Sequence, residues 1–395
     1  MRVLDLTHIV AGPFCTLLLA DAGADVVKIE PPGRGETSRR QGPFLQGAGD
    51  ESTSAYFMRL NRNKKSVTLD LKSPEGKHLF LRLVARSDVV VENFAPGVMS
   101  RLGLGYEVLR NANPKIVYAA LSGYGDAADY PTPYAHHPAM AVAIEAFSGL
   151  MDLAGGAATN PAVLGFPVGD IFAGSLAAFG IAAAVRDAET TGEGQHLDVA
   201  MFDAAVALNE RALTHYSLSG EVLSRNNETQ VGPMAVYLTK DGHLTLAAAI
   251  EDIWRKFCAA IERPDLVAAP GFETGRDRAR NHDRLRPHIE AWTRTRTTQE
   301  AVDVLIEHGV PAAAVRDARA VFEDPALVSR RMLVDVNHPI AGQVRLVGNP
   351  VKFLESDAVP AEPPSLLGQH TVDFLGEVLG LDQAELGRLR EESVI

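Results

Sequence analysis

Residues 165–203 read GFPVGDIFAGSLAAFGIAAAVRDAETTGEGQHLDVAMFD, and the fold follows from how this stretch is parsed. Asp170 is followed by fifteen uncharged residues, Ile171 to Val185, rich in Ala, Gly, Leu and Ile. Small side chains all round a helix mark it as one packed on every side by close neighbours. The helix is expected to end near Arg186 to Ala188, and Thr190 to Gly194 then turns the chain into a strand over Gln195 to Met201. Asp170 stands at or near the first turn, where unpaired backbone N–H groups favour a carboxylate. Two roles suit it there. One is an N-cap, worth about 1 kcal/mol and chemically idle. The other is a nucleophile: Gly165, Gly169 and Gly174 leave the backbone open to a bulky ligand, and a carboxylate so placed can attack an activated acyl group and carry it covalently.

Upstream, strand and helix signals alternate. Val3 to Leu6 is an apolar run, and Ala11-Gly12-Pro13 opens a helix through Ala20. Asp25 to Glu30 reads as a strand stopped by Pro31-Pro32-Gly33, and Pro74 to Ala85 as a helix with proline in its first turn. Asp88 to Glu92 and Ile116 to Leu121 are further strands. This rhythm predicts an α/β fold: a large Rossmann-like domain whose open, mostly parallel sheet carries helices on both faces. Ligands in such sheets sit beyond the carboxyl ends of the strands, which makes candidates of the loops beginning at Glu30, Asn93 and Gly123.

Downstream, Phe202 to Ser219 reads as one helix and Ser224 to Thr229 as a linker. Ala235–Leu238 and Leu244–Ala249 flank Asp241-Gly242 as a β-hairpin. Helices at Ile250–Ile261, Arg284–Thr293 and Thr298–His308 complete a smaller α+β domain. The expected division is 1–205 for the first part of the large domain, 206–230 for helix and linker, 231–324 for the small domain and 325–395 for a return to the large one. That return is expected to include strands near Val344–Val347 and Val351–Phe353.

The chain has 395 residues and a formal net charge of −12, which argues against nucleic acid or an anionic membrane as principal partner. Two distant cysteines, Cys15 and Cys258, indicate neither a disulfide framework nor a metal cluster. No uncharged run reaches the roughly 20 residues of a bilayer span, and no signal peptide is evident, so a cytoplasmic location is expected. Neither G-x-G-x-x-G at a strand–helix turn nor G-x-x-x-x-G-K-[ST] occurs, which sets aside ordinary dinucleotide and nucleoside-triphosphate sites. Positive charge is nonetheless concentrated locally: Arg34, Arg39, Arg40, Arg59, Arg62, Lys64, Lys65, Lys72 and Lys77 precede Arg101. As a group they suit a phosphorylated ligand.

Several stretches together resemble class III coenzyme A transferases, the family of formyl-CoA transferase and the carnitine CoA-transferases, to which 2-methylacyl-CoA racemase is related. They are Ala11-Gly12-Pro13, Ala22 to Glu30, Asn63 to Lys72, Val91 to Gly97, Ser122 to Gly125, Thr191 to Gln195 and Leu367 to Thr371. The resemblance implies that Asp170 is the catalytic carboxylate. It also implies that Arg39, Lys72, Asn93 and Arg101 hold coenzyme A, with Val10 and Ala11 lining the thioester site. The reaction implied is transfer of coenzyme A from an acyl-CoA to a carboxylic acid through covalent aspartyl intermediates. No resident cofactor or metal is called for, and the family implies an interlocked homodimer.

Certain positions depart from the family pattern. Where the racemases place a His-Asp pair, Met140 and Ala141 stand here, with His136 and His137 a few residues earlier. The aromatic-acid pair that transferases often carry in this loop is missing. Val10 replaces the glutamine of the oxalate-using branch, which disfavours oxalate as acceptor. His8 occupies a position often held by another polar residue, and Gly232-Pro233 only loosely matches the family's glycine-bearing loop. The alternative readings are therefore a racemase or epimerase exchanging an α-proton, and a non-catalytic acyl-CoA-binding protein.

Overall fold

The computed structural model describes residues 1–45, 53–126, 130–154, 160–223, 231–356 and 359–395. It separates into two compact units. One comprises Met1–Met151, Val163–Arg211 and Ala326–Ile395; the other comprises Asp152–Ala162 and Ala212–Pro325.

The first unit is built on six strands: β1 (Arg2–Asp5), β2 (Asp25–Glu30), β3 (Lys64–Thr68), β4 (Val89–Glu92), β5 (Val117–Ser122) and β6 (His196–Ala200). All neighbours pair in parallel, in the order β3-β2-β1-β4-β5-β6. The order reverses between β1 and β4, and a crevice opens at such a point beyond the strand ends. Its helices are α1 (Ala11–Asp21), α2 (Ala55–Asn61), α3 (Pro74–Val84), α4 (Val98–Arg101), α5 (Tyr106–Ala112), α6 (Ala141–Phe147), α7 (Leu150–Leu153), α8 (Val168–Thr191) and α9 (Met201–Leu208). Alternation along the strands creates two cores. Leu4, Val27, Ile29, Val67 and Val90 face α3, α5 and the C-terminal helices, while Val3, Val26, Val89, Val91 and Val117 face α1, α8 and α9. Burial on both faces is what a parallel sheet demands of its sequence.

β3 was read from the sequence only as part of a cationic cluster, because KKSVT looks like a surface segment. The structure buries Lys64 beneath the sheet's end, where its Nζ donates to Asp5 Oδ2 at 3.1 Å and to the Pro13 carbonyl at 2.9 Å. Helix α8 has Asp170 in its first turn, as expected, and runs on past the expected end to Thr191. Its Ala173, Ala177, Ile181, Ala184 and Ala188 form the buried stripe. By length and composition α8 is the one described helix able to cross a bilayer.

The single helix expected over Phe202–Ser219 is two, α9 and α10 (Glu210–Ser219). The break falls at Asn209, whose amide leaves the helical path to donate to the Ser148 carbonyl at 2.9 Å.

In the second unit, β7 (Met234–Leu238) and β8 (His243–Ala247) form the anticipated antiparallel hairpin, and β9 (Ala312–Ala314) extends it. α11 (Glu251–Ala260), α12 (Gly275–Arg280), α13 (His282–Thr293), α14 (Thr298–Glu307) and α15 (Ala318–Phe322) complete this part. Arg278 is fully buried here, donating to the Gly232 and Phe272 carbonyls and to Glu251. Gly232 is thus tied within its own unit. The expected linker over 224–229 lies outside the described residues.

The chain continues through α16 (Pro325–Ser329) to β10 (Leu333–His338) and β11 (Gly342–Val347), which pair antiparallel. The chain ends in α17 (Thr371–Leu379) and α18 (Gln383–Glu391). Val351–Phe353, expected as a strand, joins no strand ladder among the described residues.

Candidate active site

The turn after β1 is built before anything binds to it. Thr7 donates through its backbone N–H and its hydroxyl to Asp5 Oδ1, at 2.8 and 2.5 Å. The buried Lys28 ammonium donates to the Thr7 carbonyl at 2.7 Å. Asn93, just past β4, grips the next residue twice: its Oδ1 accepts the His8 N–H at 2.7 Å and its Nδ2 donates to the His8 carbonyl at 2.9 Å. Ile9 then adopts φ +67°, which only this anchoring makes tolerable for a β-branched residue, and α1 begins at Ala11. Glu36 closes the turn, with its carboxylate 3.6 Å from His8 Nδ1. Burial opposes its ionisation, but His8, Lys28 and Ser38 hold the group down to about 2.

Asp170, the third residue of α8, meets this turn. It does not cap its own helix at the N-cap position, which Pro167 occupies; the backbone N–H of Ala11, the first residue of α1, instead favours its ionised form. The approach depends on Gly174. A Cβ there would lie 2.6 Å from the Ala11 carbonyl oxygen and 3.2 Å from the Cys15 nitrogen. Expected to admit a ligand, this glycine instead admits the end of α1. Burial pushes Asp170 up to about 6; the Ala11 N–H opposes that, Glu145 adds to it, and Arg59 draws it back. A carboxylate with this history is ionised at neutral pH yet poorly solvated, and poor solvation makes it a better nucleophile.

Asp170 opens into a cavity of about 990 Å³ within the first unit, at the upper end of the range for small-molecule sites. It lies where the strand order reverses: its walls include His8–Ala11 after β1, Asn93–Pro96 after β4 and Leu121–Tyr124 at the end of β5. Tyr56 and Arg59 of α2, residues 135–142, and Val163 with Gly165–Pro167 complete it. Tyr124 and His137, which line it, pack with Tyr134 and Phe147 in an aromatic group. Among the described residues, no three His, Cys, Asp or Glu side chains gather as metal ligands.

Of the residues singled out in the sequence, Val10, Ala11, Asn93 and Asp170 come together around this cavity, as do His8, His136 and His137. Lys72 and Arg101 do not line it; they are exposed on the segments following β3 and β4, at the same edge of the sheet. Arg39 is a correction. It is 3% exposed, paired through Nε and Nη2 with both oxygens of Glu30 at 2.7 Å, and seated over the Phe57 ring. No face of its guanidinium is left for coenzyme A. Part of the cationic cluster is likewise spent on internal pairs: Arg62 with Asp21, Lys64 with Asp5 and Lys65 with Asp25.

The sequence reading overlooked Glu145 and gave no individual role to Arg59. Glu145 is 2% exposed, lines the cavity and accepts the Val168 N–H at 3.0 Å, so that it holds the start of α8. It stands on α6, five residues beyond Met140. A lone charge in the apolar run AVAIEAF was the available signal.

The model of CoA-transferase family III matches residues 1–371. The chain belongs to that family. It is 41% identical over 380 residues to the succinyl-CoA:mesaconate CoA-transferase of Haloarcula hispanica, covering 95% of each protein. It is 36% identical over 367 residues to the acetyl-CoA:oxalate CoA-transferase of Acetobacter aceti, covering 92% of this chain and 90% of that one. A crystal structure of a CAIB/BAIF family protein from Brucella suis superposes with a TM-score of 0.84 at 31% identity, covering 96% of this chain and 98% of the other. This family III chain is accordingly a CoA-transferase, acting among acyl-CoA thioesters and carboxylates.

Proposed function

We propose that the enzyme moves coenzyme A between two carboxylic acids by way of Asp170. The observation that carries this reading is a desolvated carboxylate lining an acyl-sized cavity that also takes in the start of α1, whose Ala11 N–H favours its ionised form. Asp170 Oδ attacks the donor's thioester carbonyl and expels the coenzyme A thiolate, leaving an aspartyl–acyl anhydride. The thiolate attacks the aspartyl carbonyl, releasing the donor acid and leaving an aspartyl-CoA thioester. The acceptor carboxylate then displaces the thiolate to form a second anhydride. Attack of the thiolate on the acceptor's acyl carbon releases product and restores Asp170. Donor and product are both thioesters, so the overall exchange is close to thermoneutral, while the anhydrides are the high-energy intermediates. Unpaired N–H groups at a helix start stabilise the oxyanion that develops at each step.

Val10 and Ala11 then lie along the thioester, and Asn93 acts mainly through the His8 turn it fixes. In this reading Lys72 and Arg101 meet the phosphates, while Arg39 serves by holding Glu30. A cytoplasmic, interlocked homodimer remains part of the proposal; exposed Phe179 and Leu176 on α8 are compatible with a partner's cover. The acids named for the Haloarcula relative make succinyl-CoA the first donor to try.

The test is chemical. Incubation with succinyl-CoA and hydroxylamine should convert Asp170 to its hydroxamate, read by peptide mass, and Asp170→Ala should lose both the adduct and transfer. Undiminished transfer by that variant rejects the mechanism. A second reading, α-proton exchange, is favoured by one observation: His136 and His137 line the cavity that contains Asp170. It requires solvent deuterium to enter the α position of a 2-methylacyl-CoA without any acceptor acid, and absence of label dismisses it.

A further inference from the structure

We infer that Arg59 is a specificity-determining residue that binds a second, distal carboxylate of the acyl group, so that this site takes dicarboxylic acids. The assignment rests on the reading of the cavity as an acyl-CoA site, and adds to it the class of acid. Arg59 stands on α2, a helix anchored at its start by Ser54 and at its sides by buried Phe57, Met58 and Leu60. From this rigid base its guanidinium lies over the Tyr56 ring, 4.0 Å from the centroid, and both side chains line the cavity. Stacking holds the planar fork in place while leaving its N–H edge free, the arrangement in which arginine takes a carboxylate with two parallel bonds.

Two further observations make an anion its natural occupant. Arg59 has no carboxylate partner among the described residues, whereas the neighbouring cations Arg39, Arg62, Lys64 and Lys65 are each paired. It is also the one arginine or lysine among the described residues lining a cavity that already holds the acids Glu145 and Asp170. The lining also includes apolar Ile9, Val10 and Phe166, with His8, Asn93, His136 and His137 among its polar members. Arg59 is the permanent cation of this wall, and so its strongest side-chain attraction for a second negative charge. A coenzyme A phosphate is a poorer match, since phosphates are met by several cations together and Arg59 stands alone beside the nucleophile.

Equilibrium binding separates these possibilities without turnover. The affinities of succinyl-CoA, butyryl-CoA and free coenzyme A are measured calorimetrically on the full-length Asp170→Ala chain, with and without Arg59→Gln, and with Arg59→Lys. Succinyl-CoA and butyryl-CoA differ in the terminal carboxylate against a methyl group. The expected result is at least 10-fold tighter binding of succinyl-CoA, a preference erased by Arg59→Gln and partly restored by Arg59→Lys. Circular dichroism melts confirm that the variants are folded. Equal affinity for the two thioesters before Arg59 is changed overturns the assignment while leaving the acyl-CoA reading intact. So does a loss in Arg59→Gln that is the same for succinyl-CoA, butyryl-CoA and free coenzyme A, which is the mark of a phosphate contact. Failure of every coenzyme A species to bind overturns both.

Discussion

At Asp170 the same desolvation that favours attack also costs the fold something, and the two effects respond to pH in a defined way. Its folded-state value of about 6 lies above the ordinary 3.8. Below the ordinary value the carboxyl is protonated whether the chain is folded or not, and no penalty exists; above 6 the folded state carries an unwelcome charge. Asp170→Asn should therefore abolish transfer yet raise the melting temperature at pH 8, by the equivalent of on the order of 2 kcal/mol. That gain should fade as pH falls toward 4. A variant less stable than the parent at pH 8 would show that the carboxylate is anchored rather than exposed to penalty. The rate of Asp170 labelling by succinyl-CoA should rise with pH through a midpoint near 6, since only the ionised form attacks. A rate that falls over the same interval contradicts the nucleophilic role. The candidacy of Asp170 was legible from the residues around it. Its neighbours were not: Glu145 and Arg59 reach it from α6 and α2, and no local spacing reports a meeting of three helices.

Between elements, the decisive contact is α1 against α8. Gly174→Val would drive a side chain into the Ala11 carbonyl and part the two helices, at about 1–3 kcal/mol. With the Ala11 N–H withdrawn, the midpoint of the labelling profile should move to higher pH. An unchanged midpoint would mean that α1 does not tune the nucleophile. Asn93→Ala should cost about 1–3 kcal/mol by leaving the His8 peptide unsatisfied, and should lower transfer without changing the pH midpoint. Thermal melts and kcat/KM measured side by side check both. Element boundaries were most legible where periodicity and turn chemistry agreed, as in β2 and in the β7–β8 hairpin. β3 was missed because its two lysines signal solvent until their carboxylate partners, Asp5 and Asp25, are known from tertiary structure.

At the scale of the molecule, one buried charge network under the first unit's sheet underlies the turn that meets Asp170. Asp5 is held far below the usual carboxylate range: burial opposes ionisation, but Lys28, Lys64 and Thr7 outweigh it. Its stabilising contribution is complete above the ordinary carboxyl value and is lost as pH falls toward the depressed one. Asp5→Asn should remove about 3–5 kcal/mol by stranding two ammonium groups in the interior, and should bring acid unfolding to higher pH. An acid-unfolding midpoint identical to the parent's would deny the network that role. The parallel architecture was evident from the strand–helix rhythm, but the pairing order and the crevice it creates were not, because they are set by contacts between distant segments. The length of α8 carries a last consequence. Asp170 is fixed to a long helix whose buried stripe, Ala173 to Ala188, is packed into the first unit's core, so its position cannot be retuned without disturbing that packing. Diversification of substrate choice, in evolution or in the laboratory, is thereby channelled into the short helix bearing Tyr56 and into the loops around His136 and Phe166, which can vary while the reaction stays the same.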